Sequence, residues 1–369
     1  MKYYLIAGEA SGDLHGANLM KAILKNDPEA EFRFWGGDKM QAVSGTLVKH
    51  YRELAFMGIA EVLLNIRTIR KNFAFCKKEL LRFAPDVVVL IDYPGFNLRM
   101  AKFAHEKGMK VAFYISPTIW AWKQSRVYKV KKYVDRMMVI LPFEKEFYAK
   151  FDYQADFVGH PLLDELAEEV PVAREVFVKQ NDLSDKPIVA VLPGSRVQEI
   201  KKILPQMLAV ASEFSEYQFV VAGVNSVPRN IYSAQNTTVI FNQTHALLRH
   251  AEAALVASGT ATLETALLGI PQVVCYKISP VSYAVAKLLV HLRFISLVNL
   301  ILDKEVVKEL IQYDFSKKNL LDELHILLKD TGRRKQIASE YDLLRTKLGN
   351  SGASKNAAAV ISEVLKKQA

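Results

Sequence analysis

The sequence predicts an α/β protein built from two doubly wound parallel sheets, and three observations support this prediction. The chain has 369 residues, which is long for a single hydrophobic core. Two apolar runs, residues 3–7 and 188–192, each lead into a glycine-containing turn and then a helical pattern. Further short apolar runs alternate with helical patterns, which is typical of parallel sheets covered by helices. We therefore expect two Rossmann-like domains facing a cleft, where the carboxyl ends of both sheets bind ligands.

Continuous apolar runs predict the strands, because a strand inside a parallel sheet is buried on both faces. In chain order the predicted strands are 3–7, 87–91, 110–115, 136–141, 188–192, 218–222, 253–256 and 272–276. Residues 164–186 are charged, interrupted by proline and free of a strand pattern, so we place the domain boundary there. The predicted units are residues 1–165, residues 186–330, and C-terminal helices over 331–369. Those helices either pack back on the first domain or reach a second copy of the chain, as in a homodimer.

The composition limits the classes of partner. The formal net charge of +10 suits nucleic acid, an anionic membrane surface or anionic substrates. No DNA-binding motif accompanies the charge, so we expect no nucleic-acid partner. The two cysteines, Cys76 and Cys275, lie far apart in apolar settings, which favours free thiols in a reducing cytosol. The N-terminus resembles a strand rather than a signal peptide, and no apolar stretch reaches the roughly 18 residues of a membrane span. We expect a chain that is soluble or lies on a membrane surface.

Residues 257–264 (ASGTATLE) form the most informative motif, because a turn of small residues joins a predicted strand to a predicted helix here. The first N–H groups of a helix lack intrahelical acceptors, and the helix start carries partial positive charge, so this turn suits a phosphate. Glu264 follows in the first turns of the helix, where it can meet a polar group such as a ribose hydroxyl. The functional residues predicted in this motif are Ser258, Gly259, Thr260 and Glu264.

Arg196 stands at a second strand end in the same predicted sheet, after the turn 193–195 (PGS). Its guanidinium could bind a diphosphate through charge-assisted hydrogen bonds. Either motif alone could be only a turn or a helix cap, but the pair predicts a nucleotide diphosphate site. The chain has no Walker lysine motif and no G-x-G-x-x-G pattern, which argues against an ATPase and against a dehydrogenase.

Candidate acids follow two strands in the first half of the chain. Asp92 comes directly after the apolar run 87–91, and a carboxylate at a strand end can remove a proton from an attacking hydroxyl. Its alternative role is to cap the next helix. Residues 8–16 (GEASGDLHG) add Glu9 and His15 as further candidates near the predicted cleft.

Other polar and aromatic residues near these strand ends have two interpretations. Ser11 and Asp13 either contact a ligand or cap the helix that follows. His15 either acts in catalysis or only packs. Trp120 and Trp122, just past the strand 110–115, either form the wall of a sugar or acyl site or only pack.

Residues 54–66 are unusually apolar for a connection between elements, and the chain then becomes basic. Apolar residues with a cationic flank suit a helix at a membrane interface, whereas the alternative is a core helix with a solvated basic face. A second apolar segment with basic residues spans 283–293. The expected membrane contacts are Phe56, Met57, Ile59, Val62, Leu63, Ile66, Arg67, Ile69 and Arg70.

A set of motifs, in order along nearly the whole chain, resembles the lipid-A-disaccharide synthase family. The motifs are 8–13 (GEASGD), 56–58 (FMG), 91–97 (IDYPGFN), 117–122 (PTIWAW), 158–161 (VGHP), 192–196 (LPGSR) and 257–264 (ASGTATLE). The run 296–312 also looks like the family's junction between acceptor and donor domains. The ordered set is far more specific than any single motif.

The resemblance implies a GT-B glycosyltransferase of lipid A biosynthesis in a Gram-negative organism. Such an enzyme transfers 2,3-diacylglucosamine from its UDP conjugate to the 6-hydroxyl of 2,3-diacylglucosamine 1-phosphate, with inversion. The products are a β-1,6-linked disaccharide and UDP. The family is peripheral on the cytoplasmic face of the inner membrane, and the fold usually needs no metal. Accordingly we expect no cofactor.

Carried onto this sequence, the resemblance places UDP on the C-terminal domain, with Arg196 and the 258–260 turn at the diphosphate and Glu264 at the ribose. Asn299 and Gln312 complete the expected donor pocket. Asp92 is the expected base, with Glu9 or His15 as the alternative. The residues expected to bind the acceptor are Ser11, Asp13, Asn97 and Trp120.

Two other functions share these features. A UDP-sugar 2-epimerase can have the same fold but acts on soluble sugars and needs no membrane patch. A non-catalytic UDP-lipid carrier would bind the donor without releasing UDP. The sequence alone does not indicate which acyl-chain lengths the protein prefers.

Overall fold

The computed structural model describes residues 1–54, 66–232, 237–289 and 292–366. They form two compact units, the first made of Met1–Glu168 with Leu348–Ala369 and the second of Glu169–Lys347. The helices after residue 331, which the sequence analysis treated as one segment, are therefore divided between the units.

The first unit contains a seven-stranded parallel sheet in the order β3-β2-β1-β4-β5-β6-β7. Its strands are β1 (Lys2–Ala7), β2 (Glu31–Gly36), β3 (Thr46–His50), β4 (Val87–Ile91), β5 (Lys110–Tyr114), β6 (Arg136–Val139) and β7 (Asp156–Phe157). Its first helices are α1 (Ala10–Asn26), α2 (Asp38–Gln41), α3 (Ile66–Phe83), α4 (Pro94–Glu106), α5 (Val127–Tyr133), α6 (Pro142–Ala149) and α7 (Pro161–Glu168). Short 3-10 turns cover Tyr51–Glu53 and Gln124–Arg126.

The second unit contains a six-stranded parallel sheet in the order β10-β9-β8-β11-β12-β13. Its strands are β8 (Ile188–Leu192), β9 (Gln218–Gly223), β10 (Thr238–Phe241), β11 (Ala251–Ala257), β12 (Gln272–Tyr276) and β13 (Lys308–Ile311). Its helices are α8 (Arg174–Gln180), α9 (Val197–Leu208), α10 (Thr244–Arg249), α11 (Thr260–Leu267), α12 (Pro280–Leu289), α13 (Leu297–Leu302), α14 (Lys317–Lys329) and α15 (Thr331–Leu348), with 3-10 turns at Ala211–Glu213 and Arg229–Ile231. The last helix, α16 (Ala353–Lys366), belongs to the first unit.

Strand order reverses direction at one place in each sheet. In the first sheet β1 lies between β2 and β4, and in the second β8 lies between β9 and β11. Loops that leave the carboxyl ends of the strands on either side of such a point diverge, which opens a crevice for a ligand. The predicted motifs after β1, β4, β8 and β11 therefore stand at the two switch points.

Helix α16 covers one face of the first sheet. Ala357 and Ile361 are buried in a core cluster with Leu5 of β1 and Val89 of β4. The Asp164 carboxylate accepts hydrogen bonds from the backbone N–H groups of Gly352, Ala353 and Ser354, which satisfies donors at the start of this helix. The end of the chain is thereby part of the core of the first unit.

Two expectations from composition can be compared with the structure. Cys76 and Cys275 are both free and buried. Within the described ranges, no helix combines the length and apolar character that crossing a bilayer requires.

Candidate active site

The second unit has a cavity of about 340 Å³ at the carboxyl ends of β8 and β11. These strands are parallel neighbours, so the turns that follow them open at the same edge of the sheet. The structure brings five predicted residues into its lining: Arg196, Ser258, Gly259, Thr260 and Glu264.

One backbone N–H and two side-chain hydroxyls donate the hydrogen bonds that fix the turn before α11. Ser258 donates its N–H to the carbonyl of Cys275 and its hydroxyl to the carbonyl of Ile295. The Thr262 side chain donates to the carbonyl of Gly259. The first N–H groups of α11, from Gly259 and Thr260 onward, are the donors that a helix start leaves available. Ser258 shapes the turn, and the residues after it present the anion-binding groups.

The second turn of the cavity depends on a glycine. Gly194 has φ +104, and a β-carbon there would collide with the carboxylate of Glu199. That carboxylate accepts the Ser195 N–H at 3.3 Å, and burial raises its pKa above the ordinary value. The exposed Arg196 follows directly, at the N-cap of α9. Its side chain lines the cavity and is close enough to the Glu199 carboxylate to act on it electrostatically.

Asn299 and Gln312 do not line this cavity. Asn299 is fully buried; its side-chain oxygen accepts the N–H groups of Val306 and Val307 at 2.8 and 3.0 Å. Gln312 exchanges two hydrogen bonds with the backbone of Ile278. Both side chains hold loops together in this structure. Their contact with the donor stays a prediction.

In the first unit, Asp92 lies directly after β4 and is partly buried. Burial, with a further contribution from the charge of Glu9, raises its pKa to about 6. A base with a pKa near the working pH combines ionisation with useful proton affinity. The His15 pKa, by contrast, is lowered by burial to about 4, which makes its imidazole a weaker base. The comparison favours Asp92 over His15.

The backbone at this edge of the sheet is strained. Asp92 and Tyr93 have φ of 43° and 50°, and Ile115, just past the neighbouring strand β5, has φ of 67°. The left-handed region is unfavourable for residues other than glycine, and a β-branched residue is rare there. The Tyr93 ring lies against Gly8, where even a β-carbon would collide with it. Such strain clusters at functional sites.

Asp13 and Asn97 have structural partners. The Asp13 carboxylate accepts the backbone N–H groups of Gly37, Lys39 and Met40, and thereby caps α2. Asn97 is fully buried and donates to the carbonyls of Ile6, Ile91 and Asp92, which ties the ends of β1 and β4 together. In this structure Asp13 caps a helix and Asn97 positions Asp92. Their expected contacts with the acceptor stay predictions.

The other predicted residues of the first unit lie on or near its surface. Glu9 is the exposed N-cap of α1, and Ser11 is exposed in its first turn. His15 is partly buried, with Nδ1 3.7 Å from Glu165. Trp120 is partly buried and meets the Phe143 ring edge to face at 4.8 Å. Glu9 and Ser11 thus remain accessible to a ligand.

The expected membrane segment is only partly described. Phe56, Met57, Ile59, Val62 and Leu63 lie outside the described residues, as does the side chain of Ile66, where α3 begins. Farther along α3, Arg67 and Arg70 are exposed and Ile69 is partly buried. The described part of this helix presents cations to solvent.

The family model for "Lipid-A-disaccharide synthetase" matches residues 3–364. The chain belongs to this family. A lipid-A-disaccharide synthase of Coxiella burnetii is 39% identical over 369 residues, with 98% of each chain covered. One from Syntrophus aciditrophicus is 38% identical over 375 residues, covering 98% of this chain and 97% of the relative.

Solved structures show that this synthase-family chain has the GT-B fold. The glycotransferase of kitacinnamycin superposes with a TM-score of 0.69 at 12% identity, covering 99% of both chains. A UDP-GlcNAc 2-epimerase from Neisseria meningitidis, bound to UDP-GlcNAc, has a TM-score of 0.68 at 14% identity, covering 100% of both. At this identity the likeness concerns the fold alone. The much closer synthase relatives do not favour the epimerase or carrier alternatives.

Three residues that lie at or beside the candidate site were not singled out from the sequence: Tyr93, Glu199 and His245. Tyr93 lies inside a recognised motif, but its packing on Gly8 depends on a contact between two strand ends. Glu199 stands three residues after the N-cap Arg196, in the first turn of the helix, where a carboxylate can accept N–H groups at the helix start. His245 contacts Glu264 from a different helix. Among the described residues, no cluster of three or more His, Cys, Asp or Glu side chains is arranged to hold a metal ion.

Proposed function

We propose that this chain transfers 2,3-diacylglucosamine from UDP-2,3-diacylglucosamine to 2,3-diacylglucosamine 1-phosphate, forming the β-1,6 lipid A disaccharide and UDP. The observation that carries the proposal is the cavity that joins Arg196 to the 258–260 turn and Glu264, in a chain matched by the family model almost from end to end. The cavity supplies cationic and N–H groups for a diphosphate and a carboxylate for a ribose.

The donor groups act on the leaving UDP. When the bond between the sugar C1 and the β-phosphate oxygen breaks, its electron pair stays on UDP and negative charge develops there. Arg196 and the N–H groups at the start of α11 line the cavity and stabilise that charge, which is larger in the transition state than in the ground state. Glu264 accepts a hydrogen bond from a ribose hydroxyl and fixes the nucleotide.

Asp92 acts on the acceptor. The 6-hydroxyl oxygen forms the new bond to C1 on the face opposite UDP, while its proton passes to the Asp92 carboxylate. Asn97 holds the Asp92 backbone carbonyl at 2.7 Å and thereby orients the base. Glu9 and Ser11 remain candidates for acceptor contact, and Glu9 also raises the pKa of Asp92.

A contact with the cytoplasmic face of the inner membrane fits the lipid character of both substrates. On α12, Val281 and Leu288 are each 76% exposed and Val285 is 50% exposed. Spacings of four and three residues place them on one face of the helix. The sequence has no acidic residue between Glu264 and Asp303 but carries Lys277, Lys287 and Arg293. An apolar face in a cationic, acid-free segment suits an anionic lipid surface, as does the exposed basic side of α3.

Incubation of the purified chain with both lipid substrates in mixed micelles tests the proposal. The expected result is stoichiometric release of UDP and β-linked disaccharide. Release of a 2-epimerised UDP-sugar would identify an epimerase, and donor binding without turnover would identify a carrier. Replacing Met57, Leu63 and Ile66 by serine is expected to weaken vesicle binding; unchanged binding would contradict the contribution of the 56–70 segment.

A further inference from the structure

His245, at the beginning of α10, has a carboxylate at each ring nitrogen. Its Nδ1 lies 2.5 Å from Glu169 Oε1, and its Nε2 lies 3.3 Å from Glu264 Oε2. A carboxylate only accepts hydrogen bonds, so both contacts form together only when both ring nitrogens carry a proton. The geometry thus selects the imidazolium. Hydrogen bonding to Glu264 and then to Glu169 outweighs burial and raises the pKa of His245 to about 9.

This arrangement borders the donor cavity. His245, Glu169 and Glu264 line a neighbouring cavity of about 600 Å³, which shares Thr244 and Glu264 with the donor cavity. Arg249 is the other charged group here, with Nη2 3.5 Å from Glu169 Oε2. Two carboxylates therefore face the His245 ring, and the Arg249 guanidinium contacts the second oxygen of Glu169.

The contact leaves half of the Glu264 carboxylate available. His245 holds Oε2, whereas Oε1 accepts no hydrogen bond from the residues that the structure describes. A carboxylate fixed at one oxygen presents the other in a defined direction.

We propose that His245 and Glu169 are positioning residues for the donor: the Glu169–His245 pair holds Glu264 so that Oε1 accepts a ribose hydroxyl. The inference rests on the proposed nucleotide site, which it deepens by assigning ribose recognition to three residues instead of one. Neither His245 nor Glu169 takes part in the bond changes.

The test measures UDP dissociation constants by calorimetry for the full chain and for His245→Gln, which removes the charge and one of the two hydrogen bonds. UDP affinity is expected to fall about tenfold, the magnitude that corresponds to about 1.4 kcal/mol. Binding of 2′,3′-dideoxy-UDP should be the same in both proteins, because it lacks the hydroxyls that Glu264 recognises. His325→Gln, an exposed histidine on α14, is the control.

The outcomes distinguish failure of the proposed function from failure of the positioning role of His245 and Glu169. Failure of the unsubstituted chain to bind UDP would overturn the proposed function. UDP binding that His245→Gln leaves unchanged, or an equal loss for UDP and the dideoxy analogue, would overturn the positioning role alone. Glu169→Gln keeps the shape of its side chain and should lose less affinity than His245→Gln, again for UDP only. An unchanged UDP affinity in Glu169→Gln would contradict its part in the pair.

The pH dependence of UDP affinity tests the charge of His245 directly, because a histidine with only a structural role would not change UDP affinity as it loses a proton. The imidazolium persists below its raised pKa and is lost as pH rises through about 9. The ratio of UDP affinities of the unsubstituted chain and His245→Gln should be constant near neutral pH and fall toward one above pH 9. The ratio cancels the titration of the nucleotide itself. A constant ratio through this range would rule out the charged form.

Discussion

At the residue scale, the proposed chemistry depends on a carboxylate whose ionised form is disfavoured. Burial raises the Asp92 pKa in the folded chain above that of an unfolded aspartate. Above the pKa that it has in the folded chain, such a group lowers the free energy of unfolding. This destabilisation disappears as the pH falls below the pKa that the group has in the unfolded chain. The shift to about 6 corresponds to roughly 3 kcal/mol at neutral pH.

Asp92→Asn should therefore separate stability from activity. We expect turnover to fall by about 10³-fold, because general-base catalysis contributes about 10²–10⁴-fold. The melting temperature at pH 7.5 should rise by several degrees, since the buried charge is gone. Turnover assays and thermal melts measure the two effects, and retained turnover in a folded variant would show that another group is the base.

Glu9→Gln should shift the acid limb of the pH–rate profile. Because the Glu9 charge raises the pKa of Asp92, its removal lowers that pKa and moves the limb to lower pH. For the unsubstituted chain we expect kcat/KM to rise with pH, to reach half of its plateau near pH 6 and to level off at higher pH. The control is Glu29→Gln, beyond the opposite end of α1. A limb that stays in place would contradict the interaction between Glu9 and the base.

At the element scale, helix α12 is expected to contribute to membrane binding. Replacing Val281, Val285 and Leu288 by serine removes the apolar face but leaves the charges, so binding to phosphatidylethanolamine–phosphatidylglycerol vesicles should weaken by about 10-fold or more. The control replaces Ile326 and Leu343, which are 40% and 41% exposed on α14 and α15. Sedimentation with vesicles measures the binding. Equal losses in both variants would indicate non-specific adsorption.

Apolar runs predicted most central strands of the two sheets, but they did not predict most of the strands at the sheet edges. The runs 87–91, 188–192 and 272–276 match β4, β8 and β12 to the residue. The strands missed are β2, β3, β7, β10 and β13. All of them except β2 lie at sheet edges, where burial on both faces is not required, and in β2 the charged Glu31 and Arg33 interrupt the apolar residues. Their sequences therefore carry too few consecutive apolar residues to stand out.

The residues of the candidate site also differ in how far the sequence predicts them. The two turns of the candidate donor cavity were predictable because parallel strands bring their carboxyl ends to one edge, so Arg196 and Thr260 line one cavity despite their distance in sequence. The contact of His245 with Glu169 joins residues 76 apart and follows from no local pattern. Asn299 illustrates the opposite case: a polar residue in a recognised segment holds a loop.

At the scale of the whole molecule, the first unit depends on the last helix of the chain. Ile361 of α16 is 1% exposed and packs in the core with strands of the first sheet. Ile361→Ala should lower the free energy of unfolding of the first unit by about 2–4 kcal/mol through a cavity. UDP affinity should not change, because the donor residues belong to the second unit. Urea unfolding with UDP calorimetry tests this; weakened UDP binding would contradict the separation.

Because α16 packs in the first unit but follows the second unit in the sequence, it also affects how the chain folds during synthesis. The ribosome releases the strands of the first sheet early, but the helix that covers one of their faces emerges last. At about 5–20 residues per second, the interval between Glu168 and Ala353 lasts on the order of 10–40 s. During that time α1 covers part of this apolar face, and the part that Ala357 and Ile361 bury stays open. We expect this interval to be when chaperones engage it.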